Sequence, residues 1–269
     1  VPTTHHVVQF SGGVGSWYTA VRVTERMVAG DELLLLFADT KTEDEDLYRF
    51  LEEAVADIIE RLPEGCTGRL VTLADGRDVW QVFNDERYIG NSRIDPCSKL
   101  LKRNLIRDWM DANLDPATAV VYLGIDWTEA HRFERAQPRW APWTLAAPLC
   151  EPPYVDKHEM MQILSESGIE APRLYAMGFP HNNCGGFCVK AGMGQFKILL
   201  EQLPERYAYH EGKEAEFRER TGKDVTILRD RRGGTVKPLT LRAFRERIEA
   251  KAIDVDPYDL GGCACMTPD

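Results

Sequence analysis

The segment that most constrains this chain is Ser11-Gly12-Gly13-Val14-Gly15-Ser16. It follows at once on Val7–Phe10 (VVQF), an apolar run with the length of a short buried strand. Trp17–Val28 behind it has helical character and closes at Gly30. Glycines between a strand and a helix let backbone N–H groups approach an anion, and the helix start adds its positive dipole end. The two serine hydroxyls supply further donors. No Gly-Lys-Ser/Thr follows, and the glycine spacing is not that of the dinucleotide fingerprint. A phosphate site at a strand end is therefore expected, on neither of those two common loops.

The rest of the first half repeats the alternation. Leu33–Phe37, Arg69–Leu73 and Ala119–Leu123 read as further strands, while Glu43–Arg61 and Ser98–Asn113 carry apolar residues at helical spacing. Such a chain predicts an α/β fold, a doubly wound and mostly parallel sheet with helices on both faces. Ligands of these sheets sit at the carboxyl ends of the strands. SGGVGS, Ala38-Asp39-Thr40 and Gly124-Ile125-Asp126 each follow a strand, so they are expected on one rim. From about Ala147 the texture changes: helical stretches at Asp156–Ser167, Val189–Leu203 and Leu241–Ala250 alternate with Pro- and Gly-rich connections. The expected division is a nucleotide-binding part, 1–149, and a mostly helical, cysteine-bearing part, 150–269.

A net charge of −10 disfavours broad binding to a nucleic-acid backbone. Local basic groups remain, at Lys99, Lys102, Arg103 and Arg107 and again at Arg229, Arg231, Arg232 and Lys237. The longest apolar run, Leu33–Ala38, is far below the roughly 20 residues of a membrane span. Val1–His6 shows no basic, signal-like start, so a cytoplasmic location and no membrane partner are expected.

Seven cysteines, an odd number without an export signal, point to metal or redox chemistry rather than a disulfide framework. Cys66 and Cys150 stand alone and read as inert. Cys97 opens a helix beside Lys99 and Lys102, which favours a thiolate. Cys184 and Cys188 flank a Gly-Gly turn, and Cys263 and Cys265 follow Gly261-Gly262. Thiols from three distant segments suit an iron–sulfur centre somewhat better than a zinc knuckle. The expected set is a 4Fe–4S cluster on Cys97, Cys184, Cys188 and Cys263, with zinc as the alternative. Cys265 is then either a ligand in place of Cys263 or a catalytic thiol. The segment Asp259–Gly262 is too short and polar to dock by apolar burial alone, and a cluster ligand at Cys263 would tie the tail down.

SGGVGS resembles the SGGxDS signature of the PP-loop ATP pyrophosphatases, with Gly15 in place of the usual Asp. FADTKTEDEDLYRFLEE (Phe37–Glu53) and YLGIDWTEAHR (Tyr122–Arg132) resemble segments of the phosphoadenylyl-sulfate reductase branch of that superfamily. The resemblance covers about Val7–Leu149. It implies a Rossmann-like nucleotide fold that binds ATP and releases pyrophosphate. Ser11, Gly12, Gly13, Gly15 and Ser16 would hold phosphates. Phe37, Asp39, Thr40, Gly124, Ile125 and Glu129 would lie along the nucleotide. In the sulfur-transfer reading Lys99, Lys102 and Arg132 could neutralise charge as pyrophosphate leaves, with Cys265 as the candidate catalytic thiol. Magnesium is left open by the missing carboxylate at Gly15. The reductases end in a Glu-Cys-Gly-type motif, whereas this chain ends in Gly-Gly-Cys-Ala-Cys before Met266.

The leading expectation is an ATP-dependent sulfurtransferase fed by a protein persulfide or sulfide. Its acceptor is a small molecule, a nucleic-acid base or a DNA phosphate, and a homodimer is compatible with it. Reduction of adenylyl sulfate or its 3′-phosphate is the alternative. A nucleotide- and redox-sensing module without turnover is the third.

Overall fold

The computed structural model of the protein describes residues 3–90, 94–231 and 234–261. The first half runs β1 (His5–Gln9), α1 (Val14–Thr24), β2 (Glu32–Asp39), α2 (Glu45–Glu60), β3 (Thr67–Ala74) and α3 (Val79–Glu86). There follow α4 (Pro96–Ser98), a π-helical stretch (Lys99–Asn104), α5 (Leu105–Asn113), β4 (Ala119–Tyr122), α6 (Ala130–Trp140) and β5 (Thr144–Ala146). The second half holds α7 (Lys157–Glu166), α8 (Arg173–Ala176), α9 (Met193–Gln202), α10 (Pro204–Thr221), β6 (Leu228–Asp230), β7 (Lys237–Leu239) and α11 (Leu241–Glu249).

β1 to β5 form one sheet in the order β3-β2-β1-β4-β5, every pairing parallel. The α/β class expected from the sequence is thus the class observed. The chain winds outward from β1 to β3, then returns across β1 to β4. The crevice between the ends of β1 and β4 is the switch point at which such sheets take their ligands.

Strand periodicity sorts the core into two layers. Val8, Leu33, Leu35 and Phe37 pack with residues of α1 and α2, while Val7, Leu34, Leu36 and Ala38 pack with Ile106, Met110, Ala136 and Trp140. Each such fully buried aliphatic side chain contributes about 1.5–3 kcal/mol, which fixes the register of the strands and hence the position of their ends. A third apolar layer joins Trp80, Phe83 and Leu101 to Phe187, Phe196, Tyr207 and Phe244. Leu149, Met160 and Leu164 join the first layer, so the packing draws on both sides of residue 149.

The helix expected over Ser98–Asn113 is instead α4, the π-helical Lys99–Asn104 and α5. β5, only three residues long, and the 18-residue α10 have no counterpart in the sequence reading. The buried positions of α10 include His210, Glu211 and Glu214, so hydropathy does not reveal its inner face. No helix among the described residues is long and apolar enough to cross a membrane.

Candidate functional site

The phosphate-type loop lies at the switch point. Gly12 has φ +72°, and a Cβ there would sit 3.0 Å from the Leu47 side chain, so both backbone and space call for glycine. Gly13 is the N-cap of α1, and its carbonyl accepts the Ser16 hydroxyl at 2.8 Å. A helix start leaves N–H groups without intrahelical partners, and here they face a cavity of about 400 Å³. Gly124, at the end of β4, packs on Gly15, so the two strand ends close into one rim.

Three cations reach this cavity. Lys102 is buried, with Nζ 3.4 Å from Glu43. Arg132 pairs with Glu129. Lys157 is exposed along its stem, but its ammonium donates to the Pro180 carbonyl and lies 4.5 Å from the centre of the Tyr175 ring. Burial of that ammonium pushes its pKa below the ordinary lysine range, against the opposing pull of Asp126 and Glu129. Positive groups along a phosphate loop can stabilise the charge that develops on a departing pyrophosphate.

A second, much smaller cavity of about 20 Å³ lies beside the first and shares Lys102 as a wall. Cys97, Cys184 and Cys188 line it, together with Thr40, Asp95 and Lys190. Two segments far apart in sequence thus bring three cysteines to one cavity. The space as described takes little more than one water-sized body. No group of three His, Cys, Asp or Glu side chains among the described residues is ready-made to hold a metal ion. The donor chemistry nevertheless suits a thiophilic centre, since three cysteine sulfurs are soft ligands.

The loop that carries Cys184 and Cys188 is held by buried polar contacts. Glu43 accepts the Thr40 hydroxyl at 3.0 Å, the Lys102 ammonium and the Cys184 backbone N–H. Asp44 is fully buried and takes Arg173 and Arg206 at 2.8 Å each. Burial alone would raise the Asp44 pKa, but hydrogen bonds from the two guanidiniums outweigh it and hold the carboxyl below its usual range. Arg206 also donates to the Gly185 carbonyl at 2.8 Å. Cys184 itself has φ +52°, a left-handed conformation that a non-glycine residue keeps only when its surroundings enforce it. Below it, Phe187 stacks on His210 with ring centres 3.6 Å apart, and His210 Nδ1 accepts the Trp80 indole N–H at 2.9 Å.

Of the residues expected at the nucleotide, Ser11, Gly13, Gly15, Ser16, Gly124, Ile125, Glu129 and Arg132 line the larger cavity. Phe37 is buried in the sheet layer, and Thr40 lines the thiol cavity. Asp39 accepts hydrogen bonds from the Tyr48 hydroxyl and the Lys41 N–H. Lys99 is exposed, and it is Lys102, one turn on, that enters the site. Cys263 and Cys265 lie outside the described residues. Sequence reasoning missed Gln9, Lys157, Tyr175 and Asn182, all on the cavity wall. A glutamine closing an otherwise apolar strand, and the Asn-Asn pair abutting Cys184, were the available signals.

The described end of the chain is docked by polar contacts rather than by apolar burial. The Asp259 carboxylate accepts the Met193 N–H at 3.0 Å and its carbonyl accepts the Gly194 N–H at 2.8 Å, at the start of α9. A Cβ at Gly192 would lie 2.1 Å from Asp259, so this approach needs glycine. Gly261 then pairs with Ala191, three residues beyond Cys188.

No family model and no curated protein matches the sequence. Among solved structures, the chain is similar to the U34-tRNA thiolase NcsA from Methanococcus maripaludis with its [4Fe-4S] cluster. That match has 15% identity and a TM-score of 0.44, covering 80% of this chain and 72% of that one. It is also similar to the NH3-dependent NAD synthetase from Campylobacter jejuni subsp. jejuni NCTC 11168 in complex with the nitrate ion. There the identity is 11% and the TM-score 0.36, covering 81% and 84% of the two chains.

Proposed function

We propose that the protein is a PP-loop-type enzyme that uses ATP to adenylate an acceptor and replaces the activated oxygen with sulfur. The observation that carries this is the adjacency of two cavities, one built for phosphates and one lined by three thiols, with Lys102 in the wall of both. Residues 1–149 supply the loop and residues 150–269 supply most of the thiols.

In this reading ATP lies with its phosphates on Ser11, Gly13, Gly15 and Ser16. The acceptor oxygen attacks the α-phosphorus, an O–P bond forms, the bond to the β-phosphate oxygen breaks, and pyrophosphate leaves. Lys102, Arg132 and Lys157 offset its charge. Sulfide then attacks the activated acceptor atom, AMP departs with the oxygen, and the sulfide proton passes to solvent. With a persulfide donor, a second thiol takes the carrier sulfur into a disulfide, and Cys265 is assigned that part. Cys97, Cys184, Cys188 and Cys263 would hold an iron–sulfur centre, which supplies an electrophilic iron for sulfur. The cavity must widen around such a centre. Gly261 beside Ala191 brings the described chain to within two residues of Cys263.

Anaerobic purification with iron, sulfide and zinc counts, followed by an assay of pyrophosphate release from ATP with sulfide present, tests the proposal. Iron and sulfide should co-purify, and Cys184→Ser or Cys188→Ser should lose them while Cys66→Ser keeps them. Stoichiometric zinc without iron would make the thiol site structural. Adenylyl-sulfate reduction would yield sulfite with no pyrophosphate, and a sensing module would bind ATP and release neither.

A further inference from the structure

Two buried amides in the larger cavity have no part in the chemistry above. Gln9, the last residue of β1, is 3% exposed, and neither its Oε1 nor its Nε2 has a hydrogen-bond partner among the described residues. Asn182 is 2% exposed. Its Nδ2 donates to the Gly12 carbonyl at 3.0 Å, which fixes the orientation of the amide because a carbonyl can only accept. Asn182 Oδ1 is left without a partner among the described residues. Both side chains line the cavity, and the bond to Gly12 places Asn182 at its phosphate end.

A buried carbonyl oxygen with no donor is costly, and it persists where a ligand completes it. A triphosphate cannot do so, since its oxygens only accept. Each of these carbonyl oxygens still calls for something electropositive, a donor or a cation. The cationic side chains of the cavity are engaged with Glu43, Glu129 and the Pro180 carbonyl. The carboxylates are engaged as well: Asp126 Oδ1 caps the turn that follows, accepting from the Thr128 N–H and hydroxyl, and Glu129 pairs with Arg132. Gly15 brings no side chain to the loop.

We infer that Gln9 Oε1 and Asn182 Oδ1 are ligands of a divalent cation, magnesium, that arrives on the phosphates of ATP. Magnesium takes hard oxygen ligands, keeps several waters, and needs only one or two protein oxygens besides the phosphates. Neutral amide ligands hold it weakly alone, so cation and nucleotide bind together. The inference rests on the proposed use of ATP.

Manganese(II) is the probe, titrated by electron paramagnetic resonance into the purified protein with and without α,β-methylene-ATP, which cannot release pyrophosphate. Tight manganese binding is expected only with the nucleotide. Gln9→Met, matched in size, should weaken manganese in the ternary complex about tenfold or more. The affinity for metal-free nucleotide should change less than about twofold. Gln9→Glu should restore or exceed wild-type manganese affinity, and Asp126→Asn should leave it unchanged; thermal melts confirm that each variant folds. Equal manganese affinity in folded wild-type and Gln9→Met proteins, or its loss in Asp126→Asn instead, would overturn the assignment and leave the amides to ordered water. A protein that binds no nucleotide, with or without metal, would remove the ATP reading and this inference together.

Discussion

The phosphate cavity and the thiol cavity share a wall but are assembled differently. The first has its phosphate end on two strand ends whose register the core fixes, Gln9 to Ser16 closing β1 and Leu123 to Asp126 following β4, with Lys157, Tyr175 and Asn182 completing the wall from the second half. The second depends on polar contacts between distant segments, Glu43 to Cys184 (141 residues apart), Asp44 to Arg206 (162) and Trp80 to His210 (130). A site on strand ends inherits the rigidity of the sheet. A site strung between loops is only as firm as the buried charges and rings that pin it, so the two should be separable by mutation.

The largest effect is expected from Asp44→Ala. It strands two guanidiniums against a buried site and removes the N-cap bond of α2, and breaking a buried pair in this way costs about 3–5 kcal/mol. Urea unfolding should register that loss. At a denaturant-free concentration where the variant is folded, metal content should fall further than ATP affinity. Equal losses at both cavities would erase the distinction.

The converse is a smaller and local break. Gly13→Val places a Cβ 3.2 Å from the Tyr175 hydroxyl and crowds the loop that must meet the phosphates. Each lost N–H contact to a charged phosphate should cost about 1.5–3 kcal/mol of binding. Calorimetry should then show ATP affinity down by tenfold or more, with metal content unchanged. Wild-type ATP affinity in the folded variant would sink the assignment of the loop.

The mildest effect is a pH dependence that sharpens the contrast. His210 is buried under the cysteine loop, and burial first, then the Arg206 charge, pushes its pKa down to about 3 from the usual 6.5. Its folded pKa lies below its unfolded one, so its contribution to stability is full above about pH 6.5. It declines as pH falls toward 3, by at most about 1.4 kcal/mol per pH unit. His210→Phe, which keeps a ring stacked on Phe187, should flatten that part of the stability–pH curve. A slope unchanged by the substitution would mean that other groups set it.

What was legible in the sequence follows the same line. SGGVGS, the strand alternation and the rim they share are local patterns, whereas the order β3-β2-β1-β4-β5 is written in none of them. Lys99 and Lys102 are both candidates in the sequence because on an ordinary helix the two are near neighbours on one face. The π-helical turn changes that register, leaving Lys99 exposed and Lys102 buried. Gln9 was hidden because a polar residue in a strand reads as its solvent side, whereas this one lies at the buried strand end that opens into the cavity. Cys97, Cys184 and Cys188 were grouped from spacing and glycine context. What puts them on one cavity, the Glu43 and Asp44 contacts, leaves no mark in any window of the chain.

The Asp259 cap on α9 gives the end of the chain a place to be cut. A helix start stabilised by a side-chain carboxylate and a carbonyl anchors whatever is attached to it, and losing such a cap costs about 0.5–2 kcal/mol. A stop codon after Gly261 would leave the anchor whole and take away Cys263 and Cys265 with the residues around them, whereas one before Asp259 would also fray α9. Comparing the two shortened proteins separates the chemistry of the tail from its mechanics. An affinity handle fused at this end would hang from the same anchor, beside the segment that carries Cys188.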